Sequence, residues 1–273
     1  MQTIVFDANS LYARSWFASQ RMTAEPREAL GLALNTAIQL LNPETGRIGQ
    51  FFDTTLFAWD GQQNKDKNRE AKPQVYHDTK LVLKDILELL FGTVNVEHPD
   101  GEGDDVVATV VTNLKPTDSV CVVSGDKDLM QLCSQQCQYY SLNDKAVLSR
   151  SFIKHKFHGI KRPSQVAIEL AIIGDPVDNI SGVRGYGPVK CKQLFQQVTE
   201  DMSFMDAVKA ITGQLPKARE TEFWSALERT LLKNDLSGLP APAKLTLLPP
   251  KEVETLGLPQ IRQNYRALYE VYR

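Results

Sequence analysis

Short apolar runs alternate with longer helical patterns over about the first 150 residues, and this alternation limits the folds open to the chain. The runs at 3–6, 55–59 and 119–123 are typical of buried strands, whereas the segments 28–41 and 81–91 have the length and apolar content of helices. Strands that alternate with helices of this length predict an α/β fold with a central, mostly parallel sheet flanked by helices.

Strand signals become rare after about residue 150, so we predict two domains, an α/β core over 1–150 and a helical region over 151–273. Within the helical region, residues 165–198 are predicted to form two helices joined by a glycine-rich loop. The proline-rich stretch 236–257 predicts an extended crossing of the surface, and 261–271 predicts a final docked helix.

The charges nearly cancel, with 31 basic and 33 acidic residues and a formal net charge of −2. This balance argues against a protein that coats nucleic acid with a uniformly basic surface, but it allows a local basic patch. No apolar run approaches the ~18 residues of a membrane span, and the N-terminus does not resemble a signal peptide. The four cysteines lack the spacing of a zinc site, so we expect free thiols in a reducing cytoplasm.

Acidic residues stand at the ends of the predicted strands and helices. Asp7 and Asp60 directly follow the first two strands, and a Ser-Gly-Asp-Lys-Asp segment follows the third. Because the carboxyl ends of parallel strands open on one edge of a sheet, we expect these acids to lie together. The full candidate set for metal binding is Asp7, Asp60, Glu102, Asp104, Asp105, Asp126, Asp128, Asp175 and Asp178.

So many carboxylates at one edge would repel each other unless cations neutralised them. The set contains neither His nor Cys, which favours the hard cations Mg²⁺ or Mn²⁺ over zinc. Two such ions close together suit the hydrolysis of a phosphodiester bond. Each single acid also has an ordinary alternative, because Asp is common as a helix cap and in Gly-Asp turns.

Three glycines crowd the predicted loop at 179–187, and a helix begins at Pro188 directly after them. Such a loop offers backbone N–H groups to a phosphate and binds the DNA backbone without reading its sequence. An ordinary tight turn between two helices remains the alternative. The candidates for DNA binding are Lys127, Arg184, Gly185, Gly187, Lys190 and Lys192.

A basic, arch-like segment follows Asp60 and extends over about 61–90. Its basic and aromatic residues are Lys65, Lys67, Arg69, Lys72, Tyr76, His77 and Lys80. Together with the glycine loop, it would bracket the acids with positive charge, as in an enzyme that binds metal ions on acids and phosphates on bases. A solvated loop is the alternative interpretation.

Five motifs in this order resemble those of the 5′ nucleases, which comprise bacteriophage 5′-exonucleases, flap endonucleases and the 5′-nuclease domain of bacterial DNA polymerase I. The motifs are FDANSLYAR, AWDG, EGDD, SGDKDLMQL and IGDPVDNISGVRGYGPVK, and the resemblance covers roughly residues 1–200. It implies a PIN-like 5′-nuclease fold followed by a helical region with a helix-hairpin-helix-like (H3TH) element that binds the duplex.

The resemblance also implies roles for individual residues. One metal ion would be bound by Asp7, Asp60, Glu102 and Asp104. A second would be bound by Asp126, Asp128, Asp175 and Asp178, while Asp105 would act through water. A K⁺ ion would bind the backbone carbonyls of Gly182, Val183 and Tyr186. The catalytic basic residues that orient the phosphate would be Arg14, Arg69, Lys72, His77 and Lys80.

The basic segment departs from the family pattern at two positions. Arg69 and Tyr76 match, but His77 stands where the family has the lysine that contacts the scissile phosphate, and Lys80 stands where it has an arginine. Histidine is shorter than lysine and mostly neutral at pH 7. Either His77 takes over this contact, or Lys80, Lys72 or Arg69 makes it. The stretch between the second and third motifs is also compact for the family, which argues against a full helical arch.

We therefore expect a metal-dependent 5′ nuclease that cleaves duplex DNA at a 5′ end, gap or flap, and also RNA in RNA–DNA hybrids, during replication or recombination. A cytoplasmic monomer of a bacterial or phage-infected cell is expected. Two alternatives stay open. A PIN-type ribonuclease needs fewer acids and lacks the glycine loop, and a non-catalytic protein that binds DNA junctions would not need nine acids.

Overall fold

A mostly parallel β-sheet forms the centre of the fold. The structure is a computed structural model that describes residues 1–22, 25–61 and 72–273. The strands are β1 (Gln2–Asp7), β2 (Thr54–Asp60), β3 (Val94–His98), β4 (Ser119–Ser124), β5 (Cys137–Ser141), β6 (Ala146–Leu148) and β7 (Ala243–Lys244). Their order in the sheet is β3-β2-β1-β4-β5-β6, and β7 pairs with β2.

The four strands β1 to β4 run parallel, so their carboxyl ends share one edge of the sheet. β1 pairs with β2 on one side and with β4 on the other, and β2 also pairs with β3. Asp7 lies opposite Ala58, and Phe6 lies opposite Val123. β1 and β2 are buried along almost their whole length, as expected for strands covered by helices on both faces. The predicted fold class is confirmed.

The described part of the chain divides into two structural units. Unit 1 comprises 1–125, 140–147 and 233–273, and unit 2 comprises 126–139 and 148–232. The helices of unit 1 are α1 (Ala8–Met22), α2 (Pro26–Leu41), α3 (Gln74–Phe91), α4 (Gly103–Thr112), α10 (Pro250–Val253) and α11 (Arg262–Tyr272). Those of unit 2 are α5 (Arg150–Lys156), α6 (Val166–Ile173), α7 (Pro188–Leu194), α8 (Phe204–Thr212) and α9 (Lys217–Thr230).

This division differs from the boundary at residue 150 that we predicted. The C-terminal residues 233–273 belong to unit 1 because β7 pairs with β2 and α11 packs on α2. The buried Tyr265 hydroxyl donates to the carbonyls of Leu90, at 2.8 Å, and Leu248, at 2.9 Å. The docked C-terminal helix was predicted, but its place on the α/β core depends on contacts between residues far apart in the chain.

Helix α1 was not predicted, although its sequence has a helical pattern. Its buried residues recur at the spacing of one helix face, and they are Ala8, Leu11, Tyr12, Ser15, Trp16 and Ser19. Two of them are serines whose hydroxyls donate to carbonyls one turn back, Ser15 to Leu11 at 2.9 Å and Ser19 to Trp16 at 2.8 Å. These polar residues interrupt the apolar pattern, so the hydrophobic pattern alone does not predict the helix.

In unit 2, α6 is the central helix and is almost completely buried. Helix α9 packs against it, and the buried Thr230 hydroxyl of α9 donates to the Ala167 carbonyl of α6 at 2.8 Å. The loop between α6 and α7 is the predicted glycine-rich loop. Among the described residues, no helix is long and apolar enough to cross a membrane. All four cysteines are buried free thiols.

Candidate active site

Asp7 lies at the end of β1, and both of its carboxylate oxygens accept hydrogen bonds. Oδ2 accepts one from the Ser124 hydroxyl at 2.6 Å, and Oδ1 accepts one from the Ser10 N–H at 3.0 Å. The Ser10 hydroxyl accepts a bond from the Gly125 N–H at 2.9 Å. These bonds connect Asp7 to the end of β4 and the start of α1, so its carboxylate has a defined orientation.

Asp60 lies at the end of the neighbouring strand β2 and contacts the start of α4. Its Oδ1 accepts the Gly103 N–H at 2.9 Å. A Cβ at Gly103 would lie 3.0 Å from Asn9 Nδ2 and 3.3 Å from Asp60 Oδ1. Glycine therefore lets the start of α4 approach the sheet edge closely, and it brings Glu102 and Asp104 with it. We call Asp7, Asp60, Glu102 and Asp104 the sheet-edge acids.

Asp105 has the contacts of a helix cap. Its Oδ2 accepts the Glu102 N–H at 3.1 Å, and its Oδ1 accepts the Lys233 N–H at 2.8 Å. The Glu102 side chain accepts the Asp105 N–H in return, which completes a capping box at the start of α4. Both oxygens of Asp105 thus bind backbone groups, which fits the capping alternative better than a position beside a metal ion.

The other four acids lie in two loops of unit 2. Asp126 and Asp128 lie at the 3₁₀ turn Asp128–Leu132, and Asp175 and Asp178 follow α6. We call Asp126, Asp128, Asp175 and Asp178 the loop acids. Ligand oxygens of Asp128, Asp175 and Asp178 all lie within 4.8 Å of one another. In the described residues, the sheet-edge acids form no such group of three.

Burial and mutual repulsion raise the pKa of two loop acids. The pKa of Asp128 rises from 3.8 to about 8, first because burial disfavours its charged form, and then because Asp126, Asp178 and Asp175 repel it. Burial is also the main cause of the raised pKa of Asp126. Lys127 acts in the opposite direction on both groups.

Lys127 lies among the loop acids as a counter-ion. Its Nζ is 2.8 Å from Oδ2 of Asp175, a residue with no exposed surface. The sequence placed Lys127 among the DNA-binding residues, and the structure instead shows its ammonium group in an ion pair. The position of a lysine between two acids in a motif does not indicate whether it pairs with a phosphate or with a carboxylate.

The loop acids fit a divalent cation. Asp128 Oδ1 is buried and has no hydrogen-bond partner among the described residues. Such an oxygen is costly to bury unless a cation or a donor binds it. Carboxylate oxygens are the ligands that Mg²⁺ and Mn²⁺ prefer. A cation among these carboxylates would also offset the repulsion that raises the pKa of Asp128.

The glycine loop packs against the end of α6. Gly182 has a φ of +68°, and a Cβ there would lie only 2.5 Å from the Gly174 nitrogen. Glycine is required at this position because no other residue combines that conformation with so close an approach. The Val183 N–H donates to the Ile172 carbonyl at 2.8 Å, and the Tyr186 N–H donates to the Val183 carbonyl at 3.0 Å. Val183 and Tyr186, two of the three residues predicted to bind K⁺, thus close one turn, and Gly182 directly precedes it.

The start of α7 is exposed and basic. Gly187 forms the N-cap, and a Cβ there would have no atom within 4 Å. Gly185, with a φ of +85°, lies beside the Lys190 side chain, whose Nζ is 5.1 Å from the centroid of the Tyr186 ring. Lys190 and Lys192 are both exposed. This end of the loop is therefore accessible to a large anionic ligand.

Helix α3 carries His77 and Lys80 one turn apart. Its first turn is fixed to α1, because the Tyr12 hydroxyl donates to the Tyr76 carbonyl at 2.8 Å and the two rings lie 4.7 Å apart. Lys80 Nζ lies 4.9 Å from the centroid of the Trp59 ring, and Trp59 directly precedes a sheet-edge acid. The His77 ring contacts the Tyr76 ring edge-on at 5.5 Å. Lys80 is thus placed close to the end of β2.

The remaining basic candidates have different surroundings. Arg14 Nη1 donates to Asn143 Oδ1 at 2.8 Å, and Asn143 Nδ2 donates to the Gly125 carbonyl at 2.7 Å. Lys72 Nζ lies 4.9 Å from the centroid of the Phe17 ring. Arg69, like Lys65 and Lys67, lies outside the described residues.

Two residues near the acids were missed by the sequence reasoning. Ser124 holds the Asp7 carboxylate, and its position at the end of β4, as the first residue of the SGDKD motif, was a signal that could have identified it. Arg229 of α9 binds the carbonyls of Asp178 at 2.7 Å and Asn179 at 2.9 Å. No sequence signal marks Arg229, because it lies 51 residues from Asp178.

Comparisons with known proteins give a family match for the chain. Residues 2–158 match the family described as 5′-3′ exonuclease, N-terminal resolvase-like domain. The chain is 26% identical over 236 residues to a 5′-3′ exonuclease of Mycoplasmopsis pulmonis, covering 84% of this chain and 77% of that protein. It is 27% identical over 202 residues to the thermostable DNA polymerase I of Thermus thermophilus, covering 72% of this chain and 24% of the polymerase.

A solved structure shares the fold. The flap endonuclease D15 of bacteriophage T5, determined as a pseudo-enzyme–product complex with DNA and metal ions, superposes with a TM-score of 0.62 at 15% identity over 99% of both chains. Because the family match spans more than half of the 273 residues, the resemblance inferred from the motifs is confirmed. The chain belongs to the 5′-3′ exonuclease family whose N-terminal domain is resolvase-like.

Proposed function

We propose that the chain is a divalent-metal-dependent nuclease that hydrolyses phosphodiester bonds of duplex DNA at 5′ ends, gaps or flaps. The observation that carries this proposal is the group formed by Asp128, Asp175 and Asp178, whose ligand oxygens lie within 4.8 Å of one another. Buried carboxylates are seldom gathered in this way without a cation. Because the chain belongs to the 5′-3′ exonuclease family, we propose that this cation serves phosphodiester hydrolysis.

Each group of acids is proposed to bind one Mg²⁺ or Mn²⁺ ion. The sheet-edge acids bind the first and the loop acids bind the second. Divalent cations at such sites lower the pKa of an attacking water and stabilise the charge on the leaving oxygen. The chain's own residues fix the ligands, since Ser124 and Ser10 orient Asp7, and the Gly103 N–H orients Asp60. Asp105 contributes by capping α4.

The basic residues of α3 are proposed to orient the scissile phosphate. Lys80 is placed beside Trp59, next to a sheet-edge acid, and His77 lies one turn earlier on the same helix. Lys80 is therefore our first candidate for the contact that a family lysine makes at the position of His77. Lys72, Arg14 and the undescribed Arg69 are proposed to support substrate binding.

The glycine loop and α7 are proposed to bind the duplex backbone. Lys190 and Lys192 are exposed at the start of α7, and Gly187 leaves open space beside them. Backbone N–H groups and lysines bind phosphates without reading base sequence. The loop segment 182–186, which carries the carbonyls of Gly182, Val183 and Tyr186, is the proposed K⁺ site.

The proposal is tested with 5′-labelled duplexes that carry a recessed 5′ end, a gap or a 5′ flap, and with an RNA–DNA hybrid. Each is incubated with the protein in Mg²⁺, Mn²⁺ or EDTA. We expect cleavage in either metal and none in EDTA. Products of one or two nucleotides would indicate an exonuclease, and release of the whole flap would indicate an endonuclease. The proposal would be refuted if none of these substrates is cleaved in either metal.

A matched pair of variants relates the activity to the loop acids. Asp128→Asn should abolish cleavage, because it removes a ligand with a buried, unbonded oxygen. Asp206→Asn, an exposed acid of α8, should cleave like the parent protein. Cleavage of RNA duplexes in preference to DNA would favour the PIN-type ribonuclease. Tight junction binding without cleavage would favour the non-catalytic alternative. Size-exclusion chromatography tests the monomeric state expected from the sequence.

A further inference from the structure

Helix α9 contacts both ends of the segment that links the loop acids to the glycine loop. At one end, Arg229 Nη2 donates to the Asp178 carbonyl at 2.7 Å, and Nη1 donates to the Asn179 carbonyl at 2.9 Å. At the other end, Glu222 Oε2 accepts the Arg184 N–H at 2.9 Å. Arg229 and Glu222 are seven residues apart, which is two helical turns, so they lie on the same side of α9.

The segment bound by Arg229 has an unusual backbone. Asn179 has a φ of +55°, a left-handed conformation that few residues other than glycine adopt. The turn is closed at its base, where the Asp175 N–H donates to the Ile180 carbonyl at 2.8 Å and the Ile180 N–H donates back at 2.7 Å. Asp178 therefore lies within a short closed turn, and Arg229 binds that turn at the two carbonyls beside the left-handed residue.

The helix that carries Arg229 is firmly anchored. The next residue, Thr230, is buried and donates to the Ala167 carbonyl of α6, and Gln131 Nε2 donates to the Thr230 carbonyl at 3.2 Å. Gln131 belongs to the 3₁₀ turn that Asp128 begins. The end of α9 is thus connected to both loops that carry the loop acids, and Arg229 is its direct link to Asp178.

We infer that Arg229 is a positioning residue that fixes Asp178 as a ligand of the divalent cation bound by the loop acids. The inference rests on the proposed function only in that a divalent cation binds there. A side chain that orients a metal ligand typically changes metal affinity 10- to 100-fold when it is removed. We expect about a tenfold change, because Arg229 is exposed and holds the backbone of its partner rather than the carboxylate.

Mn²⁺ binding to the 273-residue chain tests this inference in the absence of DNA. Free Mn²⁺ is measured by electron paramagnetic resonance for the parent protein and for Arg229→Met, Arg229→Lys, Asp178→Asn and the double variant Arg229→Met/Asp178→Asn. Glu222→Gln is the matched control, since it changes the same helix at the other end of the loop. Circular dichroism establishes that each variant is folded.

Asp178→Asn should remove one Mn²⁺ site. We expect Arg229→Met to lower the Mn²⁺ affinity of that site about tenfold, and Arg229→Lys to lower it less. Glu222→Gln should bind Mn²⁺ like the parent protein. In the Asp178→Asn background, Arg229→Met should cause no further loss, because Arg229 acts through Asp178. If Arg229→Met does not fold, a reduced affinity of Arg229→Lys, with Glu222→Gln unchanged, carries the same conclusion.

Three results would overturn the inference. The first is a folded Arg229 variant with unaltered Mn²⁺ affinity, and the second is an equal loss in Glu222→Gln. The third is a parent protein without a Mn²⁺ site that depends on Asp178. A lower affinity of Arg229→Met for duplex DNA in EDTA, with Mn²⁺ binding unchanged, would mark Arg229 as a DNA contact instead. Because no step requires DNA cleavage, a protein that binds Mn²⁺ as expected but does not cleave DNA would contradict only the proposed function.

Discussion

The raised pKa of Asp128 predicts how the stability of the metal-free protein depends on pH. Its pKa is about 8 in the folded chain and 3.8 in its ordinary state, chiefly because of burial. Well below pH 3.8 the carboxyl group is protonated in both the folded and the unfolded state. Between pH 4 and 8 the unfolded chain loses this proton while the folded chain keeps it. The folded state therefore loses stability as the pH rises through this interval, and the loss is complete near pH 8.

The expected slope is at most about 1.4 kcal/mol per pH unit for this single group, or about 2.7 kcal/mol between pH 5.5 and 7.5. Asp128→Asn removes the ionisable group and with it this part of the pH dependence. Urea denaturation in EDTA at pH 5.5, 6.5 and 7.5 measures both proteins. The difference between them measures the contribution of Asp128 together with its interaction with Asp126.

We expect Asp128→Asn to gain stability relative to the parent protein as the pH rises from 5.5 to 7.5. Equal slopes for the two proteins would refute the conclusion that Asp128 is protonated in the folded, metal-free chain. Saturating Mn²⁺ should reverse the trend in the parent protein, because a bound cation favours the ionised carboxylate.

Three further predictions concern other parts of the site. Gly182→Ala should lower the melting temperature strongly, since its Cβ would lie 2.5 Å from backbone, whereas Gly187→Ala, with open space around it, should not. Lys190→Ala should weaken DNA binding for all sequences and reduce the slope of log affinity against log salt by about 0.9, measured by fluorescence anisotropy. Ser124→Ala removes the donor to Asp7 Oδ2 and should cost about 1–3 kcal/mol in urea denaturation. Unchanged values would contradict each role.

The features predicted well from the sequence are those encoded by short stretches of chain. The buried strands β1, β2 and β4 appear as apolar runs, and an acid after a strand follows directly from the strand's end. The glycine loop was also predicted, because left-handed conformations and close backbone approaches require glycine locally. The five motifs together were sufficient for the family, which the match over 2–158 confirms.

The features that were not predicted depend on contacts between distant parts of the chain. The C-terminal residues join unit 1 through β7 and α11. Their local sequence does not indicate that they pack on the α/β core. The capping contacts of Asp105 involve Lys233, and Arg229 binds the turn of Asp178 across 51 residues. Lys127 illustrates a different difficulty, because a lysine among acids serves equally as a ligand for phosphate and as an internal counter-ion.

The role of the loop acids in catalysis is tested most directly by comparing cleavage with DNA binding in one variant. Asp178→Asn and the parent protein are incubated with a 5′-labelled flap duplex in Mg²⁺, and duplex affinity is measured for both in EDTA. We expect Asp178→Asn to lose cleavage, to retain duplex affinity and to keep the circular dichroism spectrum of the parent protein. Cleavage by Asp178→Asn at the parent rate, or a loss of activity that follows loss of folding, would contradict the assignment of the loop acids to catalysis.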